Sequence, residues 1–235
     1  MSAVTRTLVA GAALVAALAV AATTPLTAQQ RPDRSKPPVT GPAPELKLPP
    51  IQRFTLGNGL RVWLLEQHEV PLVQANLVVL SGAAADVPGQ FGAASMTAAM
   101  LDEGAAGKAA LALADEIEFL GATVSTSASF DASAVRLSTP AARLGDAMAL
   151  MAQVALTPDF PETDFNRLRT ERLTSLLQAR DDASALVGLA FPRLLYGPEH
   201  RYGTGAAGTE ATLKALGVAE LRAFHRARYR PDNAV

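Results

Sequence analysis

Residues 92–104 have the sequence GAASMTAAMLDEG, in which every residue before Asp102 has a small or apolar side chain. Alanine and methionine favour the helical state, and a stretch with so few polar groups is typical of a protein interior. The pattern therefore predicts a buried helix over residues 92–101 that ends at the adjacent carboxylates Asp102 and Glu103. The function inferred for the whole chain depends on what this helix carries.

The bulk composition limits the classes of function. The chain has 235 residues, of which 49% are hydrophobic and 18% charged, enough for one domain or a domain and a half with a substantial core. Its 21 basic and 22 acidic residues give a net charge of -1, so charge gives no indication of nucleic-acid binding. The absence of cysteine excludes disulfides, thiol catalysis and thiolate metal sites.

The N-terminal residues 1–28 are predicted to be a signal peptide. Arg6 supplies the positive start, residues 7–22 form an apolar run, and Ala28 precedes a plausible cleavage point. The apolar run is shorter than the ~20 residues that span a bilayer, so we expect cleavage and no stable membrane span afterwards. The mature protein is expected to be periplasmic or secreted, and residues 29–50, which are rich in proline, to be an extended linker.

Residues 51–235 are predicted to form one α+β domain, with an antiparallel or mixed sheet packed against helices, because strands and helices follow one another without strict alternation. Strands are predicted around the Asn58-Gly59 turn, at 72–80 as a largely buried strand, and as a pair within 123–138. Further helices are predicted at 108–120, from Thr139-Pro140 with Leu144, Met148, Met151 and Ala155 facing inward, from Pro161, at 183–195 and at 218–228. An apolar run begins at residue 234, so the domain is expected to be truncated at its C-terminal end.

Several short motifs occur in a fixed order along this domain. They are LGNGLRV at 56–62, Gly82, MLDEG at 100–104, EFLGA at 118–122, Tyr196-Gly197, HRYG at 200–203 and YRPDNA at 229–234. In this order and spacing they resemble the N-terminal domain of the insulinase/pitrilysin zinc metallopeptidases, the family that includes the mitochondrial processing peptidase subunits. The resemblance covers nearly all residues after 51, and implies the fold of that metalloenzyme domain.

The resemblance also implies where a zinc site would lie. Active members carry H-x-x-E-H on a helix, with two histidine ligands, a glutamate general base between them and a third ligand on a later helix. In this chain the histidine positions fall at Ser95 and Ala99, the base position at Ala98, and the third ligand near Ser175. Alanine has no donor atom and serine is a poor zinc ligand, so no catalytic residue, metal ligand or cofactor is predicted in this chain.

Other polar residues have both functional and structural interpretations. The chain has only three histidines, His68, His200 and His225, and no two lie within one helical turn. Asp102 and Glu103 could form a replacement metal or acid pair, or a solvated helix end. Ser95 and Ser175 could form a nucleophilic pair, although no base is placed to activate them, or fill space. His200 could order a loop, and His225 could join the arginines of the last helix in an anion site or in a solvated face.

The resemblance implies a role in binding rather than in catalysis. Val124, Ser125, Thr126 and Ser127 match the family's edge strand, which holds extended peptide by strand addition; the alternative is an ordinary edge strand. We expect a non-catalytic subunit whose partners are a zinc-bearing paralogous peptidase subunit and an extended peptide. The alternatives are a stand-alone peptide-binding or chaperone-like module, and the inactive half of a longer zinc metalloendopeptidase whose active motif lies outside this chain.

Overall fold

The structure is a computed structural model that describes Gly41 and residues 49–197 and 200–235. The predicted signal peptide, residues 1–28, and all but three residues of the predicted linker, residues 29–50, lie outside the described residues. All of the helices and strands described below belong to one compact unit, residues 48–235. Among the described residues, no helix combines the length and the apolar character needed to cross a membrane.

The main sheet has three antiparallel strands, in the order β3 (Leu72–Val79), β7 (Ser133–Pro140), β6 (Thr123–Ala128). In β7 the side chains of Val135 and Leu137 are buried while that of Arg136 is exposed. The sheet therefore has one face packed on the core and one face open, as its period of two predicts. The predicted α+β class is confirmed, and the main sheet is antiparallel.

The predicted Asn-Gly hairpin is present. Strands β1 (Ile51–Thr55) and β2 (Arg61–Leu65) pair in antiparallel register, separately from the main sheet. The Asn58 side chain accepts a hydrogen bond from the Leu60 amide at 3.1 Å, and Gly59 has a φ of +89°, which glycine adopts without strain. Two very short strands, β4 (Gly104–Ala105) and β5 (Lys108–Ala109), form a second hairpin.

Seven helices are described, and two of them, α1 and α3, lie against the main sheet. Their bounds are α1 Ala93–Met100, α2 Ala110–Phe119, α3 Leu144–Leu156, α4 Glu162–Gln178, α5 Ala183–Tyr196, α6 Glu210–Ala215 and α7 Val218–Arg228. Helix α1 packs against β6, β7 and α7. Its Met96 and Met100 are fully buried, together with Phe165 of α4, so the helix predicted from residues 92–101 is central to the core.

Three predicted details of the fold are wrong. Residues 72–80 are not largely buried: β3 is an edge strand whose side chains alternate between exposed and partly buried positions, and Leu72 and Leu80 are exposed. Thr139 and Pro140 do not begin a helix but end β7, where Pro140 is paired with Leu72 at the strand end that tolerates proline. A 3-10 turn, Ala141–Arg143, follows, and helix α3 begins at Leu144. Its buried side consists of Ala147, Leu150, Met151, Val154 and Ala155, whereas Met148, which was predicted to face inward, is exposed.

Candidate functional site

The N-terminus of α1 is fixed by a carboxylate that lies outside the helix. Asp86 accepts hydrogen bonds from the backbone amides of Gly92 and Ala94, each at 2.8 Å. These first-turn amides have no partner inside a helix, so an acceptor is required when they are buried. Gly92 has a φ of +101°, and a Cβ there would lie 2.6 Å from the Ala207 carbonyl oxygen, so this position requires glycine.

A buried ion pair links this carboxylate to the glycine-rich loop after α5. Arg201 donates to Asp86 at 3.0 Å, and the two side chains are 11% and 0% exposed. The same guanidinium donates to the Ala83 carbonyl at 2.7 Å and lies 4.5 Å above the Phe91 ring. Arg201 therefore joins the segment before α1 to the loop at residues 200–208, and their contact fixes the position of α1.

The positions that correspond to the zinc-binding residues lie on one side of α1. Ser95 and Ala99 are one helical turn apart and both are partly exposed, whereas Ala98 is 1% exposed. Ser175 lies on α4, and its hydroxyl donates to the Glu171 carbonyl of its own helix at 3.0 Å. The hydroxyl of Ser175 is thus directed back along its helix, and that of Ser95 is engaged by another side chain.

That side chain is Arg172, which comes from the same helix as Ser175. Its guanidinium donates to the Ser95 hydroxyl and, at 2.9 Å, to the Ser95 carbonyl. Burial lowers the pKa of Arg172 from its ordinary value. A cationic group thus contacts the first of the positions at which the family binds zinc.

The residues present do not fit a zinc ion. The side chains at positions 95, 98, 99 and 175 offer two neutral hydroxyls and no imidazole or carboxylate, whereas zinc sites use cysteine, histidine and acidic ligands. The guanidinium of Arg172 adds a positive charge where a metal would add another. Within residues 49–197 and 200–235, no group of three or more histidine or acidic residues is arranged to hold a metal.

The carboxylates that follow α1 do not act as a pair. Glu103 is bound by Arg167 of α4 at 2.6 Å. Burial raises the pKa of the Asp102 carboxyl, and hydrogen bonds that include one from the side chain of Thr126 oppose the shift. Because Glu103 is engaged by Arg167, the two carboxylates are not both free to hold a shared ligand.

The histidines occupy structural positions. His200 accepts a hydrogen bond from the Tyr202 amide at 3.1 Å and stacks on Tyr196. The His225 ring contacts the Ala155 carbonyl at 2.9 Å, and burial lowers its pKa. His68 is exposed beside Glu66.

Strand β6 lies at one edge of the main sheet. Val124, Ser125, Thr126 and Ser127 pair with β7 on one side, and no other described strand pairs with β6. The opposite edge, β3, is partly covered, because the Val78 and Val235 backbones exchange hydrogen bonds of 2.8 and 2.9 Å. The structure thus gives β6 the open edge that strand addition requires, while peptide binding there stays a prediction.

Three residues of this region were not identified from the sequence: Asp86, Arg172 and Arg201. Asp86 precedes a Pro-Gly turn, and Arg172 lies among other charged residues of a helix that is predicted to be amphipathic. An acidic residue shortly before an uncapped apolar helix is the one signal that could have identified Asp86 as a cap. The two arginines are distinguished only by contacts 77 and 115 residues away along the chain.

Comparison with known proteins identifies the family. The profile of Insulinase (Peptidase family M16) matches residues 61–189, more than half of the chain. The crystal structure of an M16 peptidase inactive domain from Pseudomonas fluorescens is 29% identical, with a TM-score of 0.77, and the match covers 79% of this chain and 45% of that one. No curated protein sequence matches significantly.

Two further structures share the fold at lower identity. A protease from Helicobacter pylori has a TM-score of 0.72 at 20% identity, and the match covers 80% of this chain and 45% of that one. The periplasmic protease PqqL from Escherichia coli has a TM-score of 0.69 at 21% identity, covering 78% of this chain and 21% of that one. The chain thus spans less than half the length of these proteins. It belongs to the insulinase family, peptidase family M16, as a non-catalytic member that lacks the H-x-x-E-H side chains.

Proposed function

We propose that this chain is an exported, non-catalytic subunit that pairs with a zinc-bearing paralogous peptidase unit and helps to hold an extended peptide. The observation that supports it is the contact between Arg172 and Ser95, which brings a guanidinium to a position that the family resemblance predicts to be a vacated zinc ligand. Such a chain supplies binding surface, and the zinc-bearing unit supplies the chemistry.

An exposed apolar surface on α5 supports pairing. We call it the α5 face, and it consists of Val187, Phe191, Leu194 and Leu195, which helical spacing places on one side of α5. Leu194 alone is 85% exposed, and no residue of α5 is buried. Soluble proteins rarely leave contiguous apolar patches of this kind open to water, so a second protein unit is the occupant that its chemistry favours.

The open edge of β6 supports the peptide-holding role. Its unpaired backbone groups can accept an extended segment through main-chain hydrogen bonds, which do not require a metal. An edge left open to solvent is otherwise a site of unwanted association. A stand-alone peptide-binding module is therefore the second candidate, and it predicts the same peptide affinity with and without a paralogue.

The pairing is tested with the purified chain and a zinc-bearing paralogue. We expect no stoichiometric zinc and no peptide cleavage by the chain alone, and a complex with the paralogue on analytical ultracentrifugation. Phe191→Asp/Leu194→Asp is expected to weaken the complex by at least about 30-fold, because each change buries a charge in the interface. Its unfolding free energy should change by only about 0.5 kcal/mol per site, as both side chains are exposed.

A matched control is Phe119→Asp on α2, whose ring is 83% exposed outside the α5 face; it should leave the complex intact. Cleavage by the isolated chain with tightly bound zinc would disprove the proposal. If the paralogue does not bind, or binds both variants equally, pairing through the α5 face is wrong. If a zinc-bearing unit lies on the same polypeptide, the sequence outside these 235 residues will contain H-x-x-E-H.

Export is a separate prediction. When the chain is expressed with its first 28 residues, we expect it in the periplasmic or secreted fraction with Gln29 as its N-terminal residue, because Ala28 follows the apolar run at a plausible cleavage point. N-terminal sequencing and fractionation measure this. Leu14→Arg/Leu18→Arg interrupts the apolar run and should retain the uncleaved chain in the cytoplasm. Recovery of uncleaved wild-type chain in the cytoplasm would contradict it.

A further inference from the structure

Arg172 is a partly buried arginine that has no acidic partner, a property it shares with Arg169, which donates to the Asn166 side chain and the Leu216 carbonyl. Within the described residues, Arg167, Arg180, Arg201 and Arg230 each lie within 4.0 Å of a carboxylate. Arg172 contacts only Ser95, through the hydroxyl and the carbonyl oxygen. Neither of these oxygens is charged, so the positive charge of Arg172 is not balanced by a contacting side chain.

The guanidinium retains capacity for another ligand. It carries five N–H donors in a planar fork, and Ser95 takes two of them. A cation that is removed from water without an anion is unfavourable, and burial lowers the pKa of Arg172 accordingly. The side chain is only partly buried, so an anion from outside can reach it.

The immediate surroundings favour an anion over a metal. Ser95 and Ala99 present small, partly exposed side chains at the positions where the family resemblance predicts two imidazoles in active members. The acidic residues that follow α1 do not neutralise the guanidinium, since Glu103 is bound by Arg167 and neither carboxylate forms an ion pair with Arg172.

We propose that Arg172, together with Ser95, forms a carboxylate-binding site in the place of the zinc site. The planar fork matches a carboxylate in a bidentate arrangement, with charge-assisted hydrogen bonds. The carboxylate belongs to an extended peptide, either as its C-terminal group or as an aspartate or glutamate side chain. The inference rests on the proposed peptide-holding function and adds a chemical preference to it.

The test uses fluorescence anisotropy with the purified chain and three labelled peptides of one neutral sequence. One has a free C-terminal carboxylate, one is C-terminally amidated, and one is amidated with an internal glutamate. We expect the wild-type chain to bind at least one carboxylate peptide about 10- to 100-fold more tightly than the neutral amide, as a bidentate charged pair provides. The first and third peptides distinguish the two sources of the carboxylate.

Variants assign the preference to Arg172. Arg172→Met is expected to abolish the difference between the peptides, and Arg172→Lys to retain only part of it, because lysine lacks the planar fork. Arg180→Met removes the same charge from an arginine that is already paired with Glu210 and should preserve the full preference. If Arg172→Met does not fold, the comparison of the three peptides on the wild-type and Arg172→Lys chains still tests whether the preference depends on Arg172.

Each result has a defined meaning. A preference that depends on Arg172 supports the site. Equal binding of all three peptides by the wild-type chain, or a preference that survives Arg172→Met, overturns the carboxylate site and leaves the peptide-holding function intact. If no peptide binds, the peptide-holding function fails, and the carboxylate site fails with it.

Discussion

Replacing Asp86 with alanine is expected to lower the free energy of unfolding by about 3–5 kcal/mol, the range for breaking one partner of a buried ion pair. The loss has two physical causes. Arg201, only 11% exposed, is left without its carboxylate, and the Gly92 and Ala94 amides lose their acceptor. Because whole domains are stable by only about 5–15 kcal/mol, this change approaches the limit of folding. Urea denaturation followed by circular dichroism measures it.

Two further variants distinguish the loss of stability caused by breaking the ion pair from the loss that any substitution could cause. Asp115→Ala removes an exposed acid from α2 and should change stability by no more than about 0.5 kcal/mol. The double variant Asp86→Leu/Arg201→Met is expected to be more stable than Asp86→Ala, because no buried charge remains unpaired. An Asp86→Ala chain as stable as the Asp115→Ala control would show that the pair does not hold α1 in place.

Local sequence signals predicted the elements that depend on neighbouring residues. The Asn58-Gly59 turn, helix α2 with Gly121 after it, and the start of α4 after Pro161 are all determined within a few residues, and the structure contains each of them. The prediction that a helix begins at Thr139-Pro140 was wrong, because this dipeptide is equally compatible with a helix start and with the end of a strand. Only its pairing with Leu72, far away along the chain, selects the strand.

At the candidate site too, features set by neighbouring residues were predicted, and features set by distant contacts were not. The positions of Ser95, Ala98 and Ala99 on α1 followed from short motifs whose order fixes the register. The group that contacts Ser95 did not, because Arg172 lies 77 residues away and nothing in its local sequence distinguishes it from Arg167 or Arg169. The sequence alone predicts which positions would hold zinc ligands, whereas the side chain that contacts such a position becomes visible only when the helices are packed together.

The last prediction concerns restoring the metal site. We expect Ser95→His/Ala98→Glu/Ala99→His/Ser175→Glu to bind zinc poorly, and the same chain with Arg172→Leu added to bind one zinc ion at least about 100-fold more tightly. Two unit charges ~4 Å apart repel by about 4 kcal/mol at an effective dielectric constant of ~20, and a divalent ion doubles this. The expected hundredfold difference in zinc affinity corresponds to about 2.7 kcal/mol. It is smaller than the full repulsion because the Arg172 side chain can move partly away from the metal. Competition with a zinc-binding dye gives both affinities.

The comparison depends on the two restored chains being equally folded, which thermal unfolding without metal checks, and Arg172→Leu alone serves as the control that should bind no zinc. Equal zinc affinity with and without Arg172 would mean that the guanidinium does not compete for the place of the metal. If neither chain binds zinc, position 175 is the wrong third ligand. The Arg172–Ser95 contact thus predicts that introducing the four ligands is insufficient, because the guanidinium beside position 95 must also be removed.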